Sequence, residues 1–225
     1  MASLDISGTV RERAARELRD RILTGALAPG SRIDLDAITE EFATSRTPVR
    51  EALLELSFEG LVRVAPRSGI TVIGVDSDDV MDSFTILGVL TGQAAAWAAQ
   101  RLTTEELGRL RELAADVARR SGDESIGEAN WLFHQAIHRS AHSPRLLAQI
   151  RQAARVVPSN FLTVFPEHEK HSLDEHGQLL DALAARDGER ARHIAERHVL
   201  QAGQSLATWL DAALDQRPGR QGPPA

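Results

Sequence analysis

The 225-residue chain has no cysteine, no tyrosine, a single lysine (Lys170) and only 4% aromatic residues. Without cysteine there is no disulfide framework, no thiolate zinc site and no cysteine nucleophile. No apolar run approaches the roughly 18 residues that span a bilayer, and Met1 to Val10 lacks the basic and apolar regions of a signal peptide. The expectation is a cytoplasmic protein with no membrane partner. Strand formers are scarce, whereas 33 Ala and 27 Leu are good helix formers. A hydrophobic fraction of 42% beside 26% charged residues is that of a globular chain.

Excess positive charge is missing too. The net charge is −6, and residues 1–75 hold ten Arg against eleven Asp and Glu. A nucleic-acid partner would require cations gathered on one face. The dominance of Arg over Lys needs no functional cause, since a GC-rich genome produces it.

Helical periodicity dominates what is present. Thr9 and Glu12 have capping-box spacing, and Val10, Ala14, Leu18 and Ile22 predict a helix over 9–24. Gly25 and Pro29-Gly30 end it. A second helix is expected over 34–42 and a third over 46–59, with Ser45 as N-cap and Pro48 in the first turn. Runs 61–65 and 70–73, joined by Pro66-Arg67-Ser68-Gly69, predict a hairpin. Further helices are expected at 79–100, 104–120, 124–141, 144–157, 172–186 and 188–214, with a short one between 159 and 165. Ser172 and Glu175 have capping-box spacing at the start of one of them. The expected domains are 1–75 and 76–214, and residues 215–225 form a disordered tail. The fold class is mainly α: an N-terminal winged helix-turn-helix and a C-terminal all-α bundle of six or seven helices.

Three helices followed by a hairpin is the order of that winged motif. In the third helix Val49, Ala52, Leu53 and Leu56 form the buried stripe, which leaves Arg46, Thr47 and Arg50 outside it. Arginines at the start of a recognition helix read guanine O6 and N7 in the major groove. A solvated amphipathic helix would show the same spacing.

The string Ser45-Arg46-Thr47-Pro48-Val49-Arg50-Glu51-Ala52-Leu53, then Glu59-Gly60-Leu61-Val62, resembles the recognition-helix signature of the GntR superfamily of bacterial regulators. Gly25 to Gly30 is similar to that family's turn. The resemblance implies that Ser45, Arg46, Thr47 and Arg50 contact bases and phosphates, and that a wing tip of Arg67, Ser68 and Gly69 enters the minor groove. Some relatives carry an Arg where this chain has Asp36. An anion cannot neutralise a phosphate, so Arg32 is the expected replacement.

All eight histidines lie beyond residue 130. A lone helix histidine is ordinarily capped or solvated, and His142, His168, His171 and His193 are assigned that role. His138 is expected to pack towards solvent, with a spare-ligand role as the alternative. Asn130 and His134 share one helix face, while His176 and His198 belong to two later helices. If these four converge inside a bundle, they need partners or a metal. Three imidazoles suit Zn, Ni, Cu or Fe, with positions open for water or an effector.

Asn130 to Ile137, Glu175 to Asp187 and Glu196-Arg197-His198 resemble the FCD ligand-binding domain of the FadR subfamily. That resemblance implies a divalent metal held by Asn130, His134, His176 and His198, with Zn or Ni favoured by the imidazoles. It also implies a small carboxylate effector over the metal. Asn130 replaces the usual Asp, and Leu87 and Thr91 replace a common Arg and Glu. Arg151 or Arg155 would then supply the effector's counter-charge. The whole describes a homodimeric transcription regulator that binds a short palindromic operator and answers to a small molecule. The rival is a metal-dependent hydrolase carrying a helix-turn-helix. It lacks an evident general base, because Glu175 is assigned to a cap.

Overall fold

The computed structural model describes residues 8–65 and 69–215, which divide into two units near residue 77. Helix α1 spans Val10–Leu23 and closes the expected capping box between Thr9 and Glu12. Asp34 caps α2 (Leu35–Glu41) through the amides of Asp36 and Ala37. Helix α3 spans Arg46–Phe58, and Ser45 precedes it without a side-chain capping bond.

Strands β2 (Val62–Ala65) and β3 (Gly69–Val72) form the expected hairpin. Sequence reasoning missed β1 (Arg32–Ile33), which pairs antiparallel with β3 to give the order β1-β3-β2. Two residues are too few to show alternation. The wing-tip residues Arg67 and Ser68 lie outside the described residues, and Gly69 opens β3 at φ 84°.

The core of this unit joins Leu18, Ile22 and Leu23 of α1 to Val49, Leu53 and Leu56 of α3, with Val62 and Val72 from the sheet. Arg19, almost fully buried, donates to both Glu59 oxygens at 2.7 and 2.8 Å, and Arg11 donates to Glu55 at 2.8 Å. These ion pairs tie α1 to α3. Gly30 takes φ 81°, a left-handed conformation that favours glycine, and its amide donates to the Val72 carbonyl at 2.8 Å.

Helices are the only regular elements among the described residues of the second unit. Its elements are α4 (Ser77–Arg101), α5 (Thr104–Arg119), α6 (Ile126–Ser140), α7 (Pro144–Ala153), α8 (Phe161–Val164), α9 (Pro166–Ala184) and α10 (Gly188–Asp215). A 3-10 turn, Ala154–Val156, ends α7 short of the expected 157. The expected start of α9 at 172 is corrected by six residues. Pro166 occupies the first turn, with Glu167 and Glu169 beside it, so Ser172 and Glu175 lie in mid-helix and form no cap. Apart from Asp215, which ends α10, the expected disordered tail lies outside the described residues.

Small residues bring α4 and α10 together. A Cβ on Gly203 would lie 2.7 Å from Phe84 Cβ and 2.8 Å from its Cγ, and Phe84 is fully buried. Among the described residues no helix is long and apolar enough to cross a membrane.

This packing separates two glycines. Gly203→Ala gains about 1 kcal/mol of helix propensity but overpacks a ring that cannot withdraw, at a cost of about 1–3 kcal/mol. A net loss of about 1 kcal/mol is expected in urea unfolding of the full chain. Gly108→Ala on α5 meets nothing within 4 Å and should stabilise.

Candidate metal centre and nucleic-acid interface

In the N-terminal unit the division of α3 into two faces holds. Val49, Ala52, Leu53 and Leu56 are fully buried, while Ser45, Arg46, Thr47 and Arg50 are exposed. Arg32 is exposed on β1, and Gly69 is exposed at the start of β3. The cationic end of α3 is thus presented outward by the hydrophobic stripe behind it. Arg46 does not stand alone: its Nε donates to Asp36 Oδ1 at 2.7 Å and its Nη2 to Asp36 Oδ2 at 2.8 Å. The sequence had marked Asp36 as a departure, but no local spacing links residues 36 and 46.

In the helical unit, α6, α9 and α10 bring His134, His176 and His198 together, with one potential ligand atom from each lying within 4.8 Å of the others. His134 Nε2 and His176 Nε2 are 3.2 Å apart. Two nitrogens sharing one ion at roughly 2.0–2.1 Å each lie at about that spacing. His198 turns its Nδ1 towards Glu175 Oε2 at 2.9 Å, and Arg197 Nε donates to Glu175 Oε1 at 2.9 Å. Burial pushes the Glu175 carboxyl up, but hydrogen bonds from His198 and Arg197 outweigh this and hold it below the usual carboxylate value. An ionised Glu175 fixes the proton on His198 Nδ1 and leaves the Nε2 lone pair free, as outer carboxylates do for metal-bound histidines.

Burial is the main cause that drives His134 and His176 well below 6.5, with neighbouring histidines adding to it. Both rings are therefore neutral and competent to coordinate at neutral pH. His176 Nε2 also lies 3.3 Å from Ser172 Oγ, and Phe133 packs on the His176 ring at 4.4 Å. Two buried polar atoms have no hydrogen-bond partner among the described residues: Asn130 Oδ1 and His176 Nδ1. Asn130 sits one turn before His134 on α6. A neutral, nitrogen-rich set with an orphaned amide oxygen close by in sequence is chemistry that a divalent cation satisfies.

Three sequence assignments change. His168 is buried on α9, 6.0 Å ring to ring from His198, and burial lowers it to about 4. His138 is half-buried and stacked on His134 at 6.4 Å, and burial likewise lowers it to about 4. Glu175 is no cap but the brace of His198. The missed signal was Pro166, whose place in the first turn makes His168, Ser172 and His176 one i, i+4 ridge of a single helix. By contrast His142 is exposed beside Glu106, His171 is exposed and lies 3.3 Å from the Glu167 carbonyl, and His193 is exposed. Arg151 is exposed on α7 and Arg155 is half-buried in the 3-10 turn. Leu87 and Thr91 are buried on α4, where the Thr91 hydroxyl donates to the Gly88 carbonyl at 3.1 Å.

These imidazoles carry a pH dependence. Unfolded, each binds its proton near 6.5, whereas folded His138 and His168 do so only near 4. Between those values the unfolded chain holds more protons, so stability is lost as pH falls. His138 and His168 should each contribute about 1.4 kcal/mol per pH unit to that loss. Urea unfolding of the chelator-treated chain should show this slope, and His168→Gln should reduce it by one proton's worth. A flat profile from pH 7 to 5 would contradict it.

Comparison with known proteins agrees with both halves. The family described as bacterial regulatory proteins, gntR family, matches residues 10–72, and the FCD domain matches residues 82–201. The HTH-type transcriptional regulator McbR of Escherichia coli is 34% identical over 184 residues, 79% of this chain and 83% of that protein. The galactonate operon transcriptional repressor of the same organism is 26% identical, covering 82% and 91%. The solved structure of E. coli McbR superposes with a TM-score of 0.69 at 27% identity, over 92% of this chain and 99% of that one. These relatives are named as regulators and lend the hydrolase alternative no support. With a gntR-family match over the N-terminal unit and an FCD match over the helical one, the chain belongs to the gntR family of bacterial regulatory proteins and is a transcription regulator.

Proposed function

We propose that the protein is a cytoplasmic, homodimeric regulator whose residues 1–75 bind a short palindromic operator and whose residues 76–214 bind a divalent metal and a small-molecule effector. Dimer symmetry is what a palindromic operator mirrors. Arg46, Thr47 and Arg50 read base edges in the major groove, Ser45 and Arg32 contact phosphates, and Arg67, Ser68 and Gly69 enter the minor groove. The observation that carries the metal reading is the meeting of His134, His176 and His198 within 4.8 Å, with Glu175 bracing one of them.

His134, His176 and His198 hold the ion, and Asn130 supplies an amide oxygen as a fourth ligand. Zn or Ni suits this set, because imidazole rather than carboxylate dominates it. A bound ion of this kind offers an open position to an oxygen of the effector. A carboxylate effector would find its counter-charge in Arg151 or Arg155. One relative is named for the galactonate operon, and galactonate is itself a small carboxylate. Effector binding in the bundle then changes operator affinity by a coupling of typically 1–3 kcal/mol.

Two measurements test this. Arg46→Ala and Arg50→Ala should each cost about 1–3 kcal/mol of specific binding to the DNA upstream of the protein's own gene, read by mobility shift. Both lie off the buried stripe, so the unfolding curve should not move, and unchanged affinity in both would refute α3 as the reader. Arg67→Ala should weaken binding less and mainly through its salt dependence.

For the metal, the purified chain should hold close to one divalent ion, and chelation should lower its melting temperature. Glu175→Gln should weaken zinc binding about 10–100-fold. Asn130→Asp should tighten it, most of all for Mn, which favours carboxylate oxygen. A chain that binds neither Zn nor Ni in calorimetry overturns the metal reading and leaves the DNA reading standing.

A further inference from the structure

Asp36 lies in the first turn of α2 and reaches the first residue of α3. Its two carboxylate oxygens accept from Arg46 Nε and Nη2 at 2.7 and 2.8 Å, a two-point pair along the side of the guanidinium. The partners are 65% and 66% exposed. A pair so open to water adds little to folding stability, so its significance lies in where it holds the arginine.

Arginine has five N–H donors in a planar fork. Asp36 occupies two of them, on the side edge. Of the remaining three, one on Nη1 and one on Nη2 lie along the end edge, which spans O6 and N7 of guanine, and the second Nη1 N–H faces the Cδ side. The carboxylate also alters which anions the arginine tolerates. A phosphate drawn to this cation would meet a like charge, whereas the guanine edge presents acceptors with no net charge.

We propose that Asp36 is a positioning residue that holds Arg46 side-on, presents its end edge to guanine and keeps it off the phosphate backbone. Asp36 thereby sets base preference at one operator position. The inference rests on α3 being the recognition helix, so the test separates the two claims.

Full-length wild type, Asp36→Ala, Asp36→Asn, Arg46→Ala and the double variant Asp36→Ala/Arg46→Ala would each select from duplexes with a randomised centre. Affinities would then be measured on the wild-type consensus, on a duplex with the Arg46-dependent guanine replaced, and on a scrambled duplex. Wild type should enrich a guanine that Arg46→Ala no longer selects. Asp36→Ala should lose on the order of tenfold in discrimination at that same position and leave the other positions unchanged. Its binding to scrambled duplex should be unchanged or tighter, with a steeper salt dependence. Asp36→Asn keeps one acceptor and should fall between. The double variant should discriminate no worse than Arg46→Ala, as expected for two residues acting as one unit.

If Asp36→Ala keeps the full guanine preference, or weakens all duplexes alike, Asp36 does not position Arg46 and the inference fails while α3 remains the reader. If Arg46→Ala itself keeps every base preference, Arg46 reads no base and this inference fails, while α3 as the reader then rests on Thr47 and Arg50.

Discussion

Three imidazole rings held inside a helical bundle set the central constraint of the C-terminal unit. Each neutral ring carries one donor and one acceptor, and in a water-poor interior each must be matched or its desolvation goes uncompensated. The fold meets part of this demand with its own groups. Glu175 accepts a hydrogen bond from His198 Nδ1, and Ser172 and His134 lie beside His176 Nε2. It leaves His176 Nδ1 and Asn130 Oδ1 unmatched among the described residues. The arrangement therefore stores its polarity as coordination capacity rather than as closed hydrogen bonds.

That capacity depends on α9 being continuous from Pro166 to Ala184. Continuity puts His168, Ser172 and His176 on one ridge and carries Glu175 to the neighbouring α10. Close packing of α10 on α4, where Gly88 and Gly92 face Glu196 and Gly203 faces Phe84, holds the helix that carries His198. His134, His138, His168 and His176 make the unit acid-sensitive, because burial favours the uncharged ring in the fold alone.

The N-terminal unit solves a different problem with the same economy of residues. Its hydrophobic stripe on α3 settles which side of the helix is buried, and the Arg19–Glu59 and Arg11–Glu55 pairs tether that helix to α1. Charge near zero over residues 1–75 includes several acids that are paired with arginines of the same unit. Glu55 and Glu59 face α1 arginines, and Asp36 faces Arg46. Arg50 is left exposed on the outward face of α3.

The amino-acid sequence determined the parts that depend on neighbours along the chain. The capping box at Thr9, the Val49–Leu56 stripe and the turn glycines mark helix ends and buried faces, since hydrogen bonding and periodicity act over three or four residues. The candidate trio His134, His176 and His198 was legible as residue types on three helices. Only the tertiary structure decided that the three meet, that Glu175 braces His198 instead of capping a helix, and that His168 joins the buried set. Strand β1 and the Asp36–Arg46 pair likewise escaped the sequence. Each joins residues without a shared period, so its energy exists only after the chain has packed.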